Sequence, residues 1–144
     1  MYQNILVAVD GSEESEYALQ RAIELAKKHE SVIHLIHVLE NYRYPGDTGS
    51  LRKEKETFGK QLLQKLQKQA EEQGAKKVET IFDFGHPRSI ISKKYAKQVE
   101  ADLIVCGATG ANAVQRLIGS VSEYIVRTAR CDVLIARMPE DKVL

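Results

Sequence analysis

Cysteine is scarce in this chain: Cys106 and Cys131 are the two among 144 residues, too few for a disulfide framework. Each falls at the end of an apolar run, where a small thiol packs as core, and those run ends are expected at opposite edges of a sheet, which argues against pairing. Redox sensing has little behind it, since only Cys131 has a cation beside it, Arg130. An excess of one charge is missing as well. Lys and Arg number 21 against 20 Asp and Glu, and no run of like charge occurs, so nothing marks a nucleic-acid partner or an anionic membrane surface. No apolar run is long enough to span a bilayer, and the N-terminus enters a strand with no basic region, apolar segment and cleavage site ahead of it. A soluble, cytoplasmic protein is the expectation. Neither GxxxxGK[ST] nor GxGxxG occurs, and no internal repeat or second domain is visible; the length fits one domain, residues 1–144, with one hydrophobic core.

What is there alternates between strand and helix. Ile5 to Val9 is a continuous apolar run, the pattern of a strand buried on both faces of a parallel sheet. Asp10-Gly11-Ser12 breaks it, and helical spacing follows through Tyr17, Ala18, Ala22, Leu25 and Ala26, acidic early and basic late. Ser31 to Leu39 reads as the second strand. Asn41 to Ser50, with Pro45 and two glycines, reads as an irregular loop able to close over a ligand or meet a partner, though a plain surface loop is the simpler account. An amphipathic helix is predicted from Leu51 to Gln73 with Phe58, Leu62, Leu63, Leu66 and Ala70 on its apolar face. Lys77 to Phe82 is the third strand, and Phe84-Gly85-His86-Pro87 turns the chain into a helix through Ile90, Ile91, Tyr95, Ala96 and Val99.

The stretch from Ala101 to Arg137 carries the chemistry. An apolar strand, Leu103 to Cys106, enters a loop with Gly107 and Gly110, a helix opens at Gly119 and Ser120, and a last strand contains Val133, Leu134, Ile135 and Ala136. No side chain here reads as a poised acid, base or nucleophile. The backbone does the work: glycines permit positive φ and a close approach to a ligand, and free N–H groups at a helix start face any anion placed there. Ser120 adds a hydroxyl and reads as the N-cap. A tight turn serving only the fold explains the same glycines about as well.

Other polar residues have ordinary accounts. Asp10 stands where a cap or turn residue is needed, yet also at a strand's carboxyl end, where open α/β sheets bind ligands. His34 and His37 are three apart on a strand and so point to opposite faces, which makes them structural rather than ligands of one metal. His86 reads as a turn residue, and Arg88 as the cation near that edge able to reach an anion.

Across nearly its full length the chain resembles the universal stress protein family. The resemblance rests on VAVDGSEESEYAL near the start, the HLIHV strand, and GATG followed by GSVSEYIVRTARCDVLIAR. It implies a three-layer α/β fold, a five-stranded parallel sheet of order 3-2-1-4-5 with helices on both faces, in which Asp10 and the Gly107 loop face each other across one crevice. The family's nucleotide-binding members carry Gly, two residues, Gly, nine residues, then Gly with Ser or Thr; here Gly107, Gly110, Gly119 and Ser120 fit, with eight residues between. The resemblance implies ATP held with Mg²⁺ at its phosphates. Backbone groups of Gly107, Thr109, Gly110, Gly119, Ser120, Val121 and Ser122 would take phosphate and ribose, and Cys106 would stand at the loop's start. Ala8, Val9, Asp10 and Val38 would surround the nucleoside. It also implies a homodimer joined antiparallel through Val133, Leu134, Ile135 and Ala136, against the alternative that the Met138 to Leu144 tail covers that edge.

The function implied is a stress-associated ATP-binding regulatory protein with unknown protein partners. Two alternatives stand beside it: a slow ATPase, for which there is no P-loop lysine and no assigned base, with Arg116 as the candidate charge stabiliser; and a dimeric interaction module without nucleotide, favoured by the shortened loop. An adenylating enzyme fits less well, because AVDGSEES stands where an SGGxDS loop would be.

Overall fold

Ile5, Leu6 and Val7 are each at 0% exposure, a result that consecutive strand residues reach only with a packed layer against each face. The computed structural model describes residues 1–40, 46, 49–109 and 118–139. Its elements run β1 (Asn4–Ala8), α1 (Glu13–His29), β2 (Val32–Leu39), α2 (Ser50–Glu72) and β3 (Lys77–Phe84), then α3 (residues 87–98), β4 (Leu103–Gly107), α4 (Ser120–Thr128) and β5 (Asp132–Ala136). The sheet order is β3-β2-β1-β4-β5, and every pairing is parallel, as expected.

The side-chain alternation of β1 builds both cores. Ile5 and Val7 point to one face, where Ala18, Leu19 and Ala22 of α1 and Leu62, Leu63 and Leu66 of α2 meet them. Leu6 points to the other, with Ile36, Ile104, Cys106, Ile91 of α3 and Ile125 of α4. The chain changes face between β3 and β4, so β1 and β4 lie side by side with their connections leaving in opposite directions. That is the place where open sheets have a crevice at their carboxyl ends.

Several local expectations are corrected. Phe58 was expected on the buried face of α2, yet it is 54% exposed; burial in this helix begins only at Gly59, and the Phe58 ring borders the Gly11 turn instead. The third strand continues two residues further, to Phe84. The third helix is π-helical over Ile90–Tyr95: there the Ser92 hydroxyl donates to the Arg88 carbonyl at 2.8 Å, competing for the oxygen that an α-helical N–H would use. Both cysteines are free, at opposite ends of neighbouring strands. Among the described residues no helix is long and apolar enough to cross a membrane.

The two histidines of β2 are satisfied, on opposite faces. His34 Nε2–H donates to Asn4 Oδ1 at 3.0 Å, and His37 Nδ1–H donates to the Val9 carbonyl at 2.8 Å.

Candidate functional site

The turn after β1 is built from its own polar groups. Asp10 Oδ1 accepts from the Ser12 N–H at 2.9 Å, Ser12 caps α1 through the Ser15 N–H at 3.2 Å, and the Ser15 hydroxyl accepts from the Asp10 N–H at 3.2 Å. Asp10 is thus the turn residue and Ser12 the cap. Gly11 sits at φ +87, and a Cβ there would be 3.0 Å from the Phe58 ring, so the turn requires glycine. The Asp10 side chain is exposed, and its second carboxylate oxygen has no protein partner among the described residues.

On the β4 side, the N-cap of α4 is Gly119, with no side-chain cap bond, which corrects the expectation that Ser120 caps the helix. Ser120 is its first residue. The Gly119 N–H is used, donating to the Ala108 carbonyl at 2.7 Å, which ties the helix start to the end of β4. Among the described residues the N–H groups of Ser120, Val121 and Ser122 have neither intrahelical partner nor cap; such orphan donors attract anions at a helix start. The Ser122 hydroxyl points inward instead, donating to the Gly107 carbonyl at 2.6 Å.

Gly107 was expected at positive φ, close to a ligand. It is instead the last residue of β4, it is absent from the glycines of positive φ, and its close approach is to α1. A Cβ on Gly107 would lie 2.9 Å from both the carbonyl carbon and oxygen of Glu14. Two residues on, Thr109 is held by that same Glu14: its N–H donates to Oε2 at 2.7 Å and its hydroxyl to the same oxygen at 2.5 Å. Glu14 was read from sequence only as one of the acidic residues complementing the helix dipole.

The remaining expected residues divide by face. Ala8, Val38 and Val121 are partly buried against the core that contains Cys106, so these four apolar groups share the α3–α4 side of the crevice. Val9 does not join them: it is 3% exposed in the core on the opposite face. Arg88 is turned to the Tyr124 ring, 5.6 Å from its centre. Gly110, Arg116, most of the 41–50 loop and the tail from residue 140 lie outside the described residues. Burial pushes the Cys106 thiol up to about 11, so it contributes bulk rather than a thiolate. Among the described residues no group of three or more His, Cys, Asp or Glu is gathered to hold a metal.

Comparison with known proteins gives a consistent picture. The model of the Universal stress protein family matches residues 1–137. A protein of Staphylococcus haemolyticus bearing the universal stress protein name is 41% identical over 147 residues, covering 97% of this chain and 89% of its own. The structure of universal stress protein UspA from Lactobacillus plantarum superposes with TM-score 0.85 at 31% identity, over 94% of this chain and 98% of that one. Two other similar structures are nucleotide complexes: a universal stress protein with cAMP (TM-score 0.74, 27% identity, 94% and 97% covered) and the one from Archaeoglobus fulgidus with dAMP (TM-score 0.72, 27% identity, 93% and 97% covered).

Proposed function

The chain belongs to the universal stress protein family, and from that premise we propose that it is a stress-associated regulatory protein that binds ATP in the crevice between the carboxyl ends of β1 and β4. The observation that carries the reading is the uncapped start of α4. Three N–H groups without a partner among the described residues, at Ser120, Val121 and Ser122, stand beside the Ala108–Thr109 corner at the fold's switch point, where phosphate oxygens would accept from them. Ala8, Val38, Cys106 and Val121 supply an apolar wall suited to a base, and the Asp10 oxygen that has no partner among the described residues is a hydrogen-bond acceptor for ribose or base. The cAMP and dAMP complexes of similar proteins support an adenine nucleotide as the ligand class. Mg²⁺ would accompany ATP through the phosphates.

Proline at position 120 tests the reading. At the first helical position proline removes one orphan donor while its ring suits the helix, and Gly119 before it is extended at φ −66, ψ 161, as a residue preceding proline must be. Ser120→Pro should keep the fold and weaken ATP binding about tenfold or more, the loss of a hydrogen bond to a charged group. Unchanged affinity would remove α4 from the site. Absence of any ATP binding in the native protein, with and without Mg²⁺, would leave the nucleotide-free interaction module; steady phosphate release would favour the slow ATPase.

Assembly as a homodimer through β5 is part of the proposal. Among the described residues β5 pairs only with β4, and no described strand lies along its other edge, where Val133, Leu134 and Ile135 are only partly buried. Ala136 is 4% exposed and its carbonyl accepts from Ala108 at 3.0 Å, so the pairing would rest on 133–135. The opposite rim, β3, carries Lys77, Glu79 and Asp83, the charges that discourage edge-to-edge pairing. Sedimentation of the native protein should give a dimer, and Leu134→Lys a monomer.

A further inference from the structure

The Thr109 contact bears on how tightly the crevice takes an anion. The chain runs out of β4 with its amide and hydroxyl at Thr109 both aimed at one carboxylate oxygen, Glu14 Oε2, at 2.7 and 2.5 Å. Thr109 is 8% exposed, so these are shielded donors. A shielded donor left without a partner is costly, and one bonded to a charge is held strongly. The contact joins residues from different elements: Glu14 in the first turn of α1, Thr109 beyond the end of β4. It is fixed from behind by the backbone of Glu14, against which Gly107 packs so closely that no Cβ would fit. The carboxylate therefore stays opposite Thr109 unless its side chain rotates away.

We infer that Glu14 sets the affinity of the crevice for phosphate-bearing ligands, because its carboxylate holds the two Thr109 donors that an anion would otherwise use. This inference rests on the nucleotide reading above. A phosphate that takes the Thr109 N–H and hydroxyl must first displace Glu14, and it meets the repulsion of a like charge if Glu14 stays. Binding is then discounted by the fraction of molecules in which the side chain has swung out. Glu14 is an affinity-setting residue in this scheme. The neighbouring Glu13 provides a built-in control, since it lies in the same first turn, is exposed, and makes no bond to the described residues that follow β4.

The experiment is a calorimetric titration of ATP with Mg²⁺ into the native protein and into E14Q, E14A and E13Q, each checked by circular dichroism for an intact fold at the titration temperature. E14Q and E14A should bind ATP about tenfold or more tighter than the native protein, since the closed fraction no longer opposes the ligand, whereas E13Q should change little. Equal gains in E13Q and E14Q would reduce the effect to general charge and overturn the inference, as would an unchanged or weaker affinity in both Glu14 variants. No binding by the native protein or by either Glu14 variant would bring down the nucleotide reading and the inference with it, so the two failures are told apart. Hydrogen exchange at the Thr109 amide, measured without nucleotide, gives a second readout: it should be slow in the native protein and faster in E14A. Equal rates would show that the carboxylate does not hold the loop.

Discussion

The Ser122 hydroxyl, in the first turn of α4, donates to the carbonyl of Gly107, the last residue of β4, at 2.6 Å in a buried setting. With the Gly119 N–H on the Ala108 carbonyl, it clamps the helix start to the strand end and so fixes where the orphan amides point. Ser122→Ala leaves the Gly107 carbonyl without this partner, and denaturant unfolding should show a loss of about 1–3 kcal/mol.

Gly107→Ala tests the packing rather than the polar tie. An added methyl would lie 2.9 Å from backbone atoms of Glu14, which cannot rotate aside as a side chain can. Overpacking of this kind costs about 1–3 kcal/mol, so the melting temperature should fall. A neutral result would mean that α1 shifts freely over β4.

Acid should weaken the protein through His34. Burial lowers its pKa, only partly offset by Glu79, which raises it. The folded state therefore prefers the neutral ring, and the unfolded chain takes up a proton first as pH falls through the ordinary histidine range near about 6.5. The contribution of His34 to stability is complete above that range and declines as pH drops toward the lowered folded value. Unfolding free energies at pH 7.5 and 5.5 should differ less in His34→Gln than in the native protein.

The thiols should separate kinetically. Cys106, 4% exposed and pushed by burial up to about 11, should resist a thiol reagent at pH 8 until the protein unfolds. Cys131, half-buried, should react first. Rapid modification of both in the native state would contradict the packing of Cys106 against β1 and α4.

The strands, their parallel pairing and the helices on both faces are legible because apolar runs and the intervening helical spacings are local signals, whereas the order 3-2-1-4-5 rests on the family resemblance, since nothing local says which strands become neighbours. Phe58 differs from expectation because periodicity marks a helix face but not where along the helix a neighbouring layer begins to cover it, here from Gly59 onward. The role of Gly107 was misread for a related reason. A glycine at a strand end looks the same in sequence whether its missing side chain makes room for a ligand or for another helix, and here α1 fills the space. Glu14 was passed over since nothing local distinguishes it from Glu13 or Glu16; only the adjacency of β1 and β4 carries its carboxylate to Thr109, 95 residues later.

The two rims of the sheet differ in a way that limits growth. Lys77, Glu79 and Asp83 punctuate β3, whereas β5 opens on Asp132 and carries no further charge from Val133 to Ala136. A molecule joined to a second copy across β5 presents only the ionic rims outward, so neither copy offers a further place to attach. Association by the proposed β5 pairing would then stop at two rather than run on into a fibre.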